Sequence, residues 1–136
     1  MAVAAIVAGC GGSKPSIEDA RPFADGFTHR LAVVGTWQSI EADVGPDVTR
    51  EMRNLQTHIR KDGIRRVDGK GQLRHDCPPA PAVGAGKDCF VYQVSGSQVV
   101  PLGGVQRLNA RLRLWVARES GRWQVINYDY AVIPGS

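Results

Sequence analysis

The sequence predicts an α+β fold in which two or three amphipathic helices come first and a long, curved, mixed or antiparallel sheet follows. Three observations predict it. Apolar residues recur at helical spacing up to about residue 61. From residue 64 onward the apolar period changes to two. The chain has 136 residues, 43% of them hydrophobic and 22% charged, which is the size and balance of one globular domain.

The same arithmetic excludes several classes. No apolar run approaches the ~18 residues of a membrane-spanning helix. The formal charge is +4, with 13 Arg against 4 Lys. The arginines are scattered, without the basic block that marks a nucleic-acid face.

Residues 2–9 read Ala-Val-Ala-Ala-Ile-Val-Ala-Gly, and Cys10 follows. Small apolar side chains closing on a cysteine, then Gly11 to Pro15, have the form of the end of a secretion signal and a tether. Val7-Ala8-Gly9-Cys10 resembles the bacterial lipobox. The resemblance implies cleavage before Cys10, a diacylglycerol on its sulfur, and anchoring at the outer face of the cytoplasmic membrane. Nothing basic precedes Cys10, so the true start is expected upstream, or Met1 is an internal start choice. The expected division is a signal remnant (1–9), a tether (10–15) and one domain (16–136). With Cys10 acylated, Cys77 and Cys89 remain for a disulfide around a Pro-rich loop, worth on the order of 3 kcal/mol in an exported protein. A metal site on His75, Cys77 and Cys89 would have only three ligands and no Cys-x-x-Cys pair. Gly84-Ala85-Gly86-Lys87 lacks the hydroxyl residue of a phosphate loop, since Asp88 follows.

Each element then has its signal. Ser16 with Asp19 fits a capping box, and Pro22 suits a first turn. Phe23, Phe27, Leu31 and Val34 share one helical face, with the helix expected to end near Trp37 to Ala42. Gly45-Pro46 breaks the chain. A second helix over 47–61 carries Val48, Met52, Leu55 and Ile59 on one face and stops at Gly63. Ile64 to Val67 and Gln72 to His75 read as a hairpin around residues 68–71. Phe90, Tyr92 and Val94 alternate up to a turn at Ser95-Gly96-Ser97. Val99 and Val100 start the return, which Pro101 limits to an edge or bulge.

The last third alternates most clearly. A three-residue loop ending on Gly121 pairs residues that sum to 240. Leu114 then faces Ile126, Leu112 faces Tyr128, Ala110 faces Tyr130 and Leu108 faces Val132. Arg111 meets Asp129 and Trp115 meets Val125 on the other face.

The segment from Leu112 to Ile126, with its Gly121-Arg122-Trp123-Gln124-Val125 turn and strand, resembles the final hairpin of the nuclear-transport-factor-2-like (cystatin-like cone) family. The resemblance spans residues 16 to 133 in element order and implies a cone-shaped domain. With the lipobox and the Arg-rich composition, the chain is similar to actinobacterial lipoproteins. In ketosteroid isomerase, which shares the cone, the interior holds an acid or base and a tyrosine.

The candidate pocket on this reading is Phe23, Phe27, Leu112, Tyr128 and Tyr130. Asp129 points away from it, leaving Glu18, Asp19, Asp25 or Glu41 to reach in from the helices. His29, His58 and His75 form no Ser-His-Asp or Cys-His set. Neither a catalytic set nor a metal or other cofactor is expected. The candidate interaction face is Arg111, Arg113, Trp115 and Trp123, residue types enriched in hot spots. The basic segment Arg60 to Arg66 can touch anionic headgroups near a tethered domain. The expected function is a non-catalytic accessory lipoprotein that binds a partner protein or a small apolar ligand, with homodimerisation open and no nucleic acid. The alternatives are a scaffold subunit of an envelope secretion or conjugation machine, and a small isomerase or hydrolase.

Overall fold

Ser16 donates its backbone N–H to the Asp19 carboxylate at 3.0 Å, the reciprocal half of a capping box. The computed structural model describes residues 16–78 and 86–134, so Cys10, the lipobox and the tether lie outside the described residues. A 3₁₀ turn, Ile17–Ala20, leads into α1 (Arg21–His29), which carries Pro22 in its first turn. The helix continues as one wider π turn, Arg30–Val34, and stops at Gly35. Gly35 stands at φ 76°, and its N–H closes onto the Arg30 carbonyl at 2.9 Å. That left-handed stop corrects the expected end near Trp37 to Ala42. Three short 3₁₀ turns, Trp37–Ser39, Glu41–Asp43 and Pro46–Val48, carry the chain to α2 (Thr49–Lys61).

Four strands follow: β1 (Ile64–Arg74), β2 (Cys89–Val99), β3 (Val105–Glu119) and β4 (Arg122–Val132). They form one antiparallel sheet in the order β1-β2-β3-β4. Two expected turns are absorbed into strands. Residues 68–71 are an irregularity inside β1, where the pairing steps from Asp68–Gln93 to Gln72–Val91. Ser95-Gly96-Ser97 lies within β2, and the chain reverses instead at residues 100–104. Gly96 serves close approach there: a Cβ on it would collide with the Gly63 carbonyl and lie 2.7 Å from the Ile64 Cα.

The terminal hairpin differs in register from expectation. Ser120 (φ 53°) and Gly121 (φ 81°) make a two-residue turn. Glu119 faces Arg122 and Val116 faces Val125; then the pairing shifts, so Trp115 faces Asn127, Leu114 faces Tyr128, Leu112 faces Tyr130 and Ala110 faces Val132. Ile126 is the extra residue of the resulting bulge. The even-numbered residues from Ala110 to Leu114 and from Tyr128 to Val132 still share a face, one pair displaced from the expected partners.

The core lies between the layers. Phe27 and Leu31 from the first helix, Met52 and Ile59 from α2, and Phe90, Val94, Leu112 and Leu114 from the sheet are all fully buried. Two ties fix the helical part to the last strand. Gly45 donates its N–H to the Val125 carbonyl at 2.8 Å, and Arg122 bonds the Asp43 carboxylate at 3.0 Å.

Candidate interaction surface

The side chains expected to line a pocket separate into packing and tethering roles. Phe27 and Leu112 are wholly buried core, and Phe23 leans on Phe27 with ring centroids 6.2 Å apart. Tyr130 is half-buried and donates its hydroxyl to Asp62 at 2.8 Å, with the His58 ring edge-on to it. Tyr128 is half-buried beside it; burial, and then the charge of Glu51, raises its phenol above the ordinary tyrosine range. Burial first, and then the bond to Asp62, raises that of Tyr130 further.

The third tyrosine belongs with these. Tyr92, from β2, is 2% exposed and donates its hydroxyl to Asp25 of α1 at 2.6 Å. Burial, and next the Asp25 carboxylate, pushes its phenol far up, so it is a neutral donor across the accessible pH range. Asp25 is thus the helix carboxylate that reaches inward. The signal for Tyr92 was in the sequence, as the middle residue of the Phe90-Tyr92-Val94 alternation. Each of these two partners is occupied by the other, and Arg21 beside them bonds the Gly71 carbonyl and Glu18. The arrangement ties a helix to a sheet.

The outer sheet face is the more open surface. Arg113 lies 2.7 Å from Asp129 and Arg111 lies 3.6 Å from it, so one carboxylate serves two guanidinium groups. The nearest cross-strand partner of Asp129 is Arg113, one pair away from the expected Arg111. Trp115 shares this face but is 1% exposed. It lies under the Cys77–Cys89 disulfide and donates its indole N–H to the Gly86 carbonyl at 3.1 Å. Trp123 is on the opposite side of the sheet, packed against the main core with Arg118 over its ring. The bulge at Ile126 causes this, because it reverses the parity of the strand between Trp123 and Asn127. The structure therefore brings Arg111 and Arg113 together, covers Trp115 and sends Trp123 elsewhere.

What joins the two arginines is polar. A groove of about 270 Å³ is lined by Gln72, Arg74, Gln93, Arg111 and Arg113, with the disulfide at one end. Arg74 pairs with Asp76 at 3.2 Å and holds that carboxyl below its usual range by hydrogen bond and charge. The Arg111 Nε is buried without a hydrogen-bond partner among the described residues. Planar, multiply donating guanidinium groups beside amides suit carboxylates and other oxyanions on a partner surface. Gln72, Gln93 and Arg74 were legible only through the cross-strand registers of β1, β2 and β3.

The three histidines stand apart. His29 is exposed, His58 sits 3.8 Å from Asp62, and His75 contacts Asp88 at 2.8 Å. The disulfide takes both sulfurs of the metal alternative.

No protein-family model and no curated protein matches the chain. Among solved structures it is similar to one from Xanthomonas campestris described as a calcium/calmodulin dependent protein kinase II association domain. The identity is 15%, the coverage is 91% of each chain and the TM-score is 0.51. At that identity the likeness bears on the fold alone. The chain is an α+β domain of helices on a curved four-stranded antiparallel sheet, an arrangement it shares with that association domain.

Proposed function

We propose that the protein is a non-catalytic accessory lipoprotein, held by an acylated Cys10 at the outer face of the cytoplasmic membrane and binding a partner protein through its outer sheet face. The observation that carries the binding half is the Arg74–Arg111–Arg113 groove, where three guanidinium groups meet two carboxylates and the buried Arg111 Nε has no hydrogen-bond partner among the described residues. By contrast, the space between helices and sheet holds fully buried side chains from both layers, and Tyr92 and Tyr130 there are engaged by Asp25 and Asp62. This disfavours both an apolar-ligand site and isomerase chemistry. The anchoring half rests on the lipobox resemblance, on Cys10 being the cysteine left over by the disulfide, and on the actinobacterial likeness of the composition.

Metabolic labelling with a fatty-acid analogue tests the anchor: label is expected on the native protein and lost in Cys10→Ala, and an unlabelled native protein overturns it. Affinity purification from membranes tests the face. Arg111→Glu with Arg113→Glu is expected to lose the partner that the native chain retains, while Tyr128→Phe keeps it. Retention by the double variant overturns the face.

A second reading is favoured by the description of the structural neighbour as an association domain. On this reading the chain is a scaffold subunit of an envelope assembly, and copies of it come together. Light scattering on the purified chain distinguishes the two: a stable oligomer that survives the double arginine variant supports the scaffold.

A further inference from the structure

The hairpin joining β2 and β3 ends in an apolar tip that no described residue covers. Leu102 is 99% exposed, Val99 82% and Val105 72%. They flank a tight reversal in which Val100 donates to the Gly104 carbonyl, and Gly103 to the Val100 carbonyl, each at 3.0 Å. Apolar side chains in water carry an unfavourable hydration cost, so three of them together at a protruding end mark a contact.

Cations surround the base of this tip. Arg107 lies two residues below Val105 and pairs with Ser97, about 7 Å down the strand. Arg65, Arg66 and Arg107 border one depression together with Gly63 and Gly96. Lys61 is tied to the same end through its carbonyl, which accepts from Gln98 at 3.3 Å. Of the nearby acids, Asp68 is paired with Arg66 at 2.9 Å and Asp62 is bonded by Tyr130. The basic segment noted in the sequence and the apolar tip, which the sequence did not single out, are therefore neighbours.

We propose that this tip enters an anionic lipid surface, with Leu102, Val99 and Val105 among the acyl chains and Arg65, Arg107 and Lys61 at the headgroups. Three features favour a bilayer over a protein. The patch is three side chains, far below the ~20–30 residues a side of a stable protein interface. Its apolar crown over a cationic collar matches the depth profile of an anionic leaflet. The Val100 and Gly103 N–H groups are bonded within the turn, which is what entry into a medium without hydrogen-bond partners requires. The contact is separate from acylation, so it holds with or without a lipid on Cys10.

The test uses the full chain as Cys10→Ala, floated with phosphatidylcholine vesicles that contain or lack phosphatidylglycerol. The expected result is binding to the anionic vesicles, weaker at high salt. Leu102→Asp is expected to lower the bound fraction at least about tenfold, and Arg107→Glu about fivefold or more. Leu102 is almost wholly exposed among the described residues, so unchanged thermal melting of Leu102→Asp will show that folding is not the cause. No flotation, or equal flotation of the Leu102→Asp variant, overturns the proposal. So does a dimer in light scattering that Leu102→Asp dissociates while flotation stays the same, because the tip then belongs to a second copy. Failure of fatty-acid labelling at Cys10 would sink the anchor and leave this result standing.

Discussion

The Tyr92 ring lies directly on Gly71. A Cβ at position 71 would fall 2.6 Å from the Tyr92 hydroxyl and closer still to two ring carbons. The ring that bonds α1 through Asp25 therefore needs a bare backbone on the neighbouring strand.

Gly71→Ala is expected to destabilise the fold by about 1–3 kcal/mol, the range of overpacking. Tyr92→Leu removes the obstructing atoms, so the double variant should lose less than the two single losses added together. Denaturant unfolding of the four chains measures the coupling, and strict additivity would show that the two residues do not touch.

Tyr92→Phe deletes a hydrogen bond to a carboxylate and should cost about 1.5 kcal/mol. It should also change the response to alkali. The folded state holds the Tyr92 proton well above the ordinary tyrosine value of about 10, so above that pH the unfolded chain binds fewer protons than the folded one. Stability contributed by this group is complete below pH ~10 and then falls as pH rises, by up to about 1.4 kcal/mol per pH unit. Unfolding curves between pH 9 and 11.5 should fall less steeply for Tyr92→Phe than for the native chain.

Reducing the Cys77–Cys89 bridge, whose cysteines stand 12 apart in sequence, should cost about 3 kcal/mol. The indole of Trp115 would lose its cover and its bond to Gly86, so its emission should shift to the red. A Cys77→Ser, Cys89→Ser chain with unchanged stability and emission would contradict this. Oxidised, denatured native protein should show neither thiol open to alkylation.

Leu112 is fully buried, and Leu112→Ala should cost roughly 2–5 kcal/mol. Asp129 is one-third exposed and serves two arginines. Asp129→Asn should therefore cost about 1 kcal/mol, with the loss shrinking as salt screens the two guanidinium charges from each other. Thermal melts at low and high salt give both numbers.

The layer order was legible because burial imposes a period on each element. The faces of the terminal hairpin over residues 110–114 and 128–132 were legible for the same reason, while Trp123, Val125 and Ile126 near the turn lie on the faces opposite to those expected. Its register was not. The pairing assumed uninterrupted alternation, whereas the tight Ser120-Gly121 turn fixes one register and the bulge at Ile126 shifts the rest. That single inserted residue explains why Trp123 leaves the face of Arg111 and Arg113. The glycines misled in a related way. Gly71 and Gly96 each sit where another group comes too close for a side chain, and composition alone cannot distinguish that need from a turn. The Arg74–Arg111–Arg113 groove draws on three strands, with Arg74 and Arg111 37 residues apart in sequence, and only the registers of β1 on β2 and of β2 on β3 bring them together.

The sheet order β1-β2-β3-β4 joins each strand to its neighbour in the chain, so the sheet can grow hairpin by hairpin. The helical third gains its first ties from β1 and β2, where Arg21 bonds the Gly71 carbonyl and Tyr92 donates to Asp25. Its ties to Val125 and Arg122 wait for the last strand, while Phe27, Leu31, Met52 and Ile59 already need cover. During vectorial emergence from a ribosome, residues 16–61 come out before any strand, with an apolar side still unshielded. The nascent chain should therefore depend on a holding chaperone until residue 125 has cleared the exit.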